Sequence, residues 1–152
     1  MSHDRSLASP AFPGDDGTAD ARLSSAFGDD VAVLQALQDV RVFVPIIALL
    51  GETPAAGDKN ADMAAVLMTG ADGRQALLAF SSVATMTAWD DRARPVPILG
   101  RDAAKAARDE GAAAVLLDLA APTFTVIETD DLQHLAAGDT LVQSEAGPAW
   151  LA

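Results

Sequence analysis

Between Asp72 and Ile98 the apolar residues change their spacing along the chain. Asp72-Gly73 tolerates φ > 0 and predicts a hairpin turn between two apolar runs, Met63 to Thr69 and Gln75 to Phe80. Past Phe80 the period lengthens from two to about 3.6. This predicts a short helix, Ser82 to Trp89, with Val83 and Met86 facing inward. Ser81 and Ser82 each offer a side-chain oxygen to the free N–H groups at its start. Arg94-Pro95-Val96-Pro97-Ile98 must then be extended, because a residue before proline is pushed out of the α region, and its two prolines predict an edge strand.

The flanking segments add layers to this unit. Met1 to Thr18 is a turn-rich arm that Phe12 can pin, and Asp20 to Phe27 has room for one or two helical turns. Val31, Leu34 and Leu37 form an apolar stripe on a helix from Asp30 to Gln38, with Asp29 and Asp30 at its positive end. Val40 to Leu50 has β-branched residues on both faces and predicts a strand covered on both sides, with an edge or a bulge at Pro45. Gly51 to Asn60 reads as a loop. Asp102 to Glu110 is an Ala-rich helix ended by Gly111. Ala113 to Leu119 and Thr123 to Ile127 pair as strands, and Thr129 or Asp130 caps a last helix that ends at Gly138. Asp139 to Ala152 reads as a loosely docked tail anchored by Leu141 or Trp150. The order predicts an α+β fold: a single layered domain with a largely antiparallel mixed sheet of about five to six strands, packed by three to four helices.

Composition narrows the partners. At 152 residues and 50% hydrophobic content the chain buries a real core, built from Ala, Val and Leu because aromatics are only 5%. A formal charge of -12 repels phosphate backbones, so neither nucleic acid nor an anionic membrane is expected as a partner. The absence of cysteine removes disulfides, thiolate metal sites and thiol nucleophiles and fits a cytoplasmic location. No signal peptide is visible in the first thirty residues, and the longest apolar run, Val42 to Leu50, is roughly half a membrane span.

Val42-Phe43-Val44-Pro45-Ile46-Ile47-Ala48-Leu49-Leu50-Gly51-Glu52, followed by Lys59-Asn60-Ala61-Asp62-Met63-Ala64, resembles the opening of the SseB-like N-terminal domain family. So do Leu78-Ala79-Phe80-Ser81-Ser82, Trp89-Asp90, Arg94-Pro95-Val96-Pro97, and Gly111-Ala112 through Leu116-Leu117-Asp118 with Thr123-Phe124. The Pro10 to Gly17 segment is similar to the arm of actinobacterial members. The resemblance covers roughly Pro10 to Gly138, and the chain reads as three parts: a turn-rich arm (1–27), the SseB-like domain (28–138) and a C-terminal tail (139–152). The family takes its name from a serine-sensitivity phenotype in enteric bacteria and brings no established activity, cofactor or catalytic residues. Relatives often carry a second, C-terminal domain, for which Ala152 comes too early.

Candidate chemistry is sparse. Asp15, Asp16 and Asp20 could gather around a hard cation, but they lack the alternating ligands and closing Glu of a calcium loop and read as turn residues, with no metal. His3 and His134 are far apart, and His134 reads as solvated beside Gln133. Ser81 and Ser82 lack a nucleophile elbow and read as helix caps; Gly70 to Arg74 joins two strands rather than cradling a phosphate. Asp118 reads as a solvated carboxylate, with an acidic cluster beside Asp90 or Asp91 as the alternative. Trp89 with Arg92 and Arg94 has the composition of an interaction hot spot; the alternative is that Trp89 closes the core while the arginines pair with Asp90 and Asp91. No catalytic residue, metal or cofactor is assigned. The expected function is a non-enzymatic cytoplasmic protein-interaction or regulatory module that binds an unknown protein partner or itself, through an edge strand or the Trp89 region. The alternative is a sensor for a small, amino-acid-like metabolite held between sheet and helices.

Overall fold

Alternation along strand β1 (Arg41–Ala48) divides the molecule into two layers. Val42 and Val44 enter the main core, whereas Phe43, one residue out of phase, enters a smaller core on the other face. The computed structural model describes residues 12–48 and 63–152. The expected loop over 51–60, the end of the expected first strand and His3 lie outside the described residues.

β1 lies between β2 (Met63–Ala65) and β5 (Arg94–Leu99), antiparallel to both. A second sheet runs β3 (Leu67–Thr69), β4 (Gln75–Ala79), β6 (Ala114–Leu117) and β7 (Thr125–Ile127), and only β4 and β6 are parallel. Val66 is the single residue between β2 and β3, so one strand serves both sheets. A bridge between Phe43 and Phe80, closed by N–H···O contacts of 2.7 and 2.8 Å, joins them again. This is the expected α+β class with mixed, largely antiparallel sheets.

Pro45 is not at an edge. It lies in the middle strand of its sheet, and extending the β1–β2 register places it opposite Val66. Pro45 has no N–H for the Val66 carbonyl, which instead accepts from the Leu78 N–H at 3.2 Å. The missing donor thus coincides with the point where the sheet divides. Pro95 and Pro97 are on an edge, as expected. Phe43 directs its N–H and C=O toward Phe80, away from β5, and every second residue of a strand repeats that direction. The pairs Phe43↔Pro97 and Pro45↔Pro95 are therefore the non-hydrogen-bonded ones, and both β5 proline nitrogens face the open side.

Four helices pack on the main core: α1 (Ala21–Ser24), α2 (Asp30–Leu37), α4 (Gly100–Asp109) and α5 (Thr129–Ala137). Asp29 caps α2 by accepting from the Val31 and Ala32 N–H groups. Neither Thr129 nor Asp130 caps α5: the N-cap is Glu128, with no side-chain bond, and the Thr129 hydroxyl donates to the Ala113 carbonyl at 2.7 Å. Ala103, Ala104 and Ala107 let α4 sit close to the sheet, and Gly100 lies against the backbone of Leu37, where a Cβ would collide. On the opposite face, α3 (Val83–Trp89) carries Met86 onto Phe43, Leu78 and Phe80, with Ser82 as its cap.

The expected loose tail is a hairpin, β8 (Thr140–Ser144) with β9 (Gly147–Leu151). Gly147 at φ 111° closes its turn, a backbone conformation open to glycine. Leu141 and Trp150 do anchor it, as expected: Leu141 is buried in the main core and Trp150 packs against it.

Replacing both Pro95 and Pro97 with Ala gives the β5 edge two outward N–H donors. The expected outcome is stronger concentration-dependent self-association than in the unsubstituted chain, measured by sedimentation velocity; equal association would show that the prolines do not guard the edge.

Candidate functional site

The polar centre of the protein is Asp118. It is 0% exposed, where the sequence reading placed it in solvent, and its backbone is left-handed at φ 59°. The β4–β6 register brings the ends of both strands together and sets Asp118 beside Ser81. Its Oδ1 accepts from the Ser81 N–H (2.7 Å) and the Thr85 hydroxyl (3.0 Å), and its Oδ2 from the Ser81 and Thr123 hydroxyls (both 2.7 Å). A carboxylate accepts about four hydrogen bonds, so this one is filled. Asp90 is bonded to Arg92 at 3.0 Å instead, and the alternative of an acidic cluster with Asp118 fails. Ser82 takes the capping role expected of both serines, while Ser81 turns its hydroxyl to Asp118.

Arg41 occupies the other side of Ser81. Only 8% exposed, it donates to the Ser81 carbonyl (2.9 Å), to both Asp15 oxygens (2.7 Å each) and to the Thr18 carbonyl (2.6 Å). Its guanidinium lies 4.2 Å from the centroid of Phe43, two residues along the same face of β1. Asp15 is thus the arm's fastening, and the Gly17 carbonyl accepts from the Val83 N–H of α3 at 2.9 Å. The Arg41 hydrogen bonds hold the Asp15 carboxyl below its ordinary value of 3.8. Asp16 is pulled down by the Thr18 N–H and hydroxyl, and Asp20 by Arg22. The three aspartates turn to different partners. Among the described residues, no three His, Asp or Glu side chains are grouped to hold a metal ion.

Trp89 is half-buried against Phe80, with ring centroids 5.5 Å apart. Arg92 pairs with Asp90, one of the two partners weighed for it, and Arg94 is exposed at the start of β5. His134 is not simply solvated: its Nδ1 lies 2.7 Å from Asp139 Oδ2 and its ring stacks on Trp150.

The space expected between sheet and helices is absent from the main core. Under α4 and α5 the free volume is about 10 Å³, no more than a single water requires, because the alanines draw the helix close. Open clefts lie elsewhere. One, of about 460 Å³, runs along Ser81, Ser82, Thr85 and Thr123 beside the arm. Another, of about 240 Å³, crosses the bare end of the second sheet's outer face, lined by Met68, Ala76, Ala114, Leu116, Leu119 and Val126. Met68 and Val126 are each 40% exposed there, and Phe124, just before β7, is 45% exposed.

An α+β domain whose buried Arg41 and Asp118 are bonded within the chain, to the Asp15 carboxylate, backbone groups and hydroxyls, and whose second sheet leaves part of one apolar face bare, is the class of protein these features define. A family model described as the SseB protein N-terminal domain matches residues 20–134, and the chain belongs to that family. No curated protein and no solved structure matches it. Among the described residues, no helix is long and apolar enough to cross a membrane.

Two outcomes follow for the polar centre. Asp118→Ala strands several buried donors and is expected to lower stability by about 3 kcal/mol in urea unfolding, whereas Asp118→Asn, which can accept and donate in the same places and tolerates the left-handed backbone, is expected to cost about 1 kcal/mol. Because the folded-state pKa of Asp15 is depressed, its stabilisation is present above the unfolded value of 3.8 and is lost as pH falls through the folded value. Denaturation followed from pH 6 to pH 2 should show that loss, and Asp15→Asn should be less stable at pH 6 and lack this component of the slope.

Proposed function

We propose that this SseB-family domain, of actinobacterial type, is a non-enzymatic cytoplasmic module that binds a basic partner protein through the bare end of its second sheet. The observation that carries this reading is the exposure of Met68 and Val126 on a face whose reverse side is fully packed. Isolated exposed apolar residues are ordinary on any protein; here they line one groove with Leu116, which packs, as Val66 and Trp89 do, against the smaller core. A second copy is the weaker occupant, because two chains of charge -12 repel, whereas a cationic partner with an apolar anchor is steered in.

The test is a photo-crosslinking residue placed at Val126, with a control at Lys105 on α4. The Val126 probe is expected to capture a basic protein that the control does not. With that protein purified, Met68→Glu combined with Val126→Glu should weaken binding about tenfold or more while leaving the circular dichroism unchanged. Capture of a second copy, or equal capture from both positions, would overturn the reading.

The second reading, a small amino-acid-like metabolite, is supported by the hydroxyl-lined cleft at Ser81, Ser82, Thr85 and Thr123. It predicts that a free amino acid from a metabolite panel raises the melting temperature and that Thr123→Val removes the rise.

A further inference from the structure

The chain that runs from β2 through Val66 into β3 has one continuous outer edge. Val66 directs its C=O to the Leu78 N–H, and Gly70 its N–H to the Arg74 carbonyl at 2.8 Å, both toward β4. Backbone groups alternate in direction along a strand, so Met68 turns to β4 as well, while Leu67 and Thr69 turn away from it. On β1, Ile47 points the same way as Phe43, toward β2, which makes Ile47↔Ala64 the bonded pair and turns Ala65 outward too. β2 and β3 each end their sheet, so the N–H and C=O groups of Ala65, Leu67 and Thr69 have no backbone partner among the described residues. The other edges of the two sheets offer less. β5 presents the nitrogens of Pro95 and Pro97, and β7 is only 3 residues long.

We infer, on the reading that a basic protein binds the bare end of the second sheet, that this outer edge takes up an extended segment of that protein as an added strand. An added strand draws affinity from main-chain hydrogen bonds and selectivity from side chains at every second position. On the outer face those side chains fall beside Met68, which is 40% exposed at the groove that also holds Val126. Apolar residues suit that row. The charge of the segment follows from the charge of the chain. An unguarded edge invites a second copy, yet two chains of charge -12 repel, and the same field draws in a lysine- or arginine-rich strand. Of the ionisable groups that line the groove, Asp72 is paired with Arg74 and the third is the Glu128 carboxylate.

The probe is a capped peptide of about seven residues, alternating lysine and valine. In the free chain the Ala65, Leu67 and Thr69 amides are expected to exchange quickly while those of Met68 and Gly70 are protected. Saturating peptide should slow the first three about tenfold or more, followed residue by residue by NMR. Thr69→Pro removes an outward N–H and no bond within the sheet, and should weaken peptide binding about tenfold with the circular dichroism unchanged. The inference is overturned by a peptide that does not bind, by binding that leaves the three amides fast, or by equal binding to a folded Thr69→Pro chain. Protection of the same amides on raising the protein concentration without peptide would give the edge to a second copy and overturn it as well. Capture of a basic protein at Val126 alongside any of these outcomes would keep the reading and retire the added strand alone.

Discussion

A single residue, Ser81, binds two buried charged side chains. Ser81 accepts from Arg41 through its carbonyl and gives both its N–H and its hydroxyl to Asp118. The two do not touch each other: Arg41 is paired with the Asp15 carboxylate at 2.7 Å, while the burial of Asp118 is offset by its hydrogen bonds to Ser81, Thr85 and Thr123. Those bonds exist only if β4 ends beside β6, α3 starts at Ser82 and the arm folds back to Arg41. The connection between β4 and α3, the turn after β6 and the N-terminal arm are therefore parts of one arrangement, and none can take its place without the others.

Local signals in the chain account for much of the fold. The Asp29 and Ser82 caps, the glycine terminators Gly111 and Gly138, the turn at Asp72-Gly73 and the edge at Pro95 and Pro97 each depend on a few neighbouring residues, and each lies where its chemistry predicts. The candidate site was less legible. Asp118 looks like an ordinary strand-end carboxylate until the parallel β4–β6 pairing brings Ser81 to it across 37 positions of chain. Arg41 gave no sign of burial for the same reason, since Asp15 reaches it from the arm. Pro45 departs from the expected edge or bulge because those are the usual refuges for a strand proline, while a split between sheets is a less common one. The final hairpin lacks strong alternation, and its fixing points at Gln35 and Gln38 lie more than a hundred residues away in sequence.

The two faces of the second sheet are treated differently. One is sealed by α4, whose small side chains permit an almost void-free contact, and by α5. The other is covered only where α3 reaches, over Leu78 and Phe80. Met68, paired with Ala76 beyond the row that α3 covers, and Val126, level with Leu78 but on the edge strand β7, stay in contact with solvent.

Val66 links the two sheets between β2 and β3. Its carbonyl is bonded to β4 because Pro45, opposite it on β1, has nothing to offer. Mechanical load applied to one sheet can therefore cross to the other along continuous backbone, with the Phe43–Phe80 bridge as a second rivet. The two sheets are expected to twist as a single plate, with their shared strand as the spine.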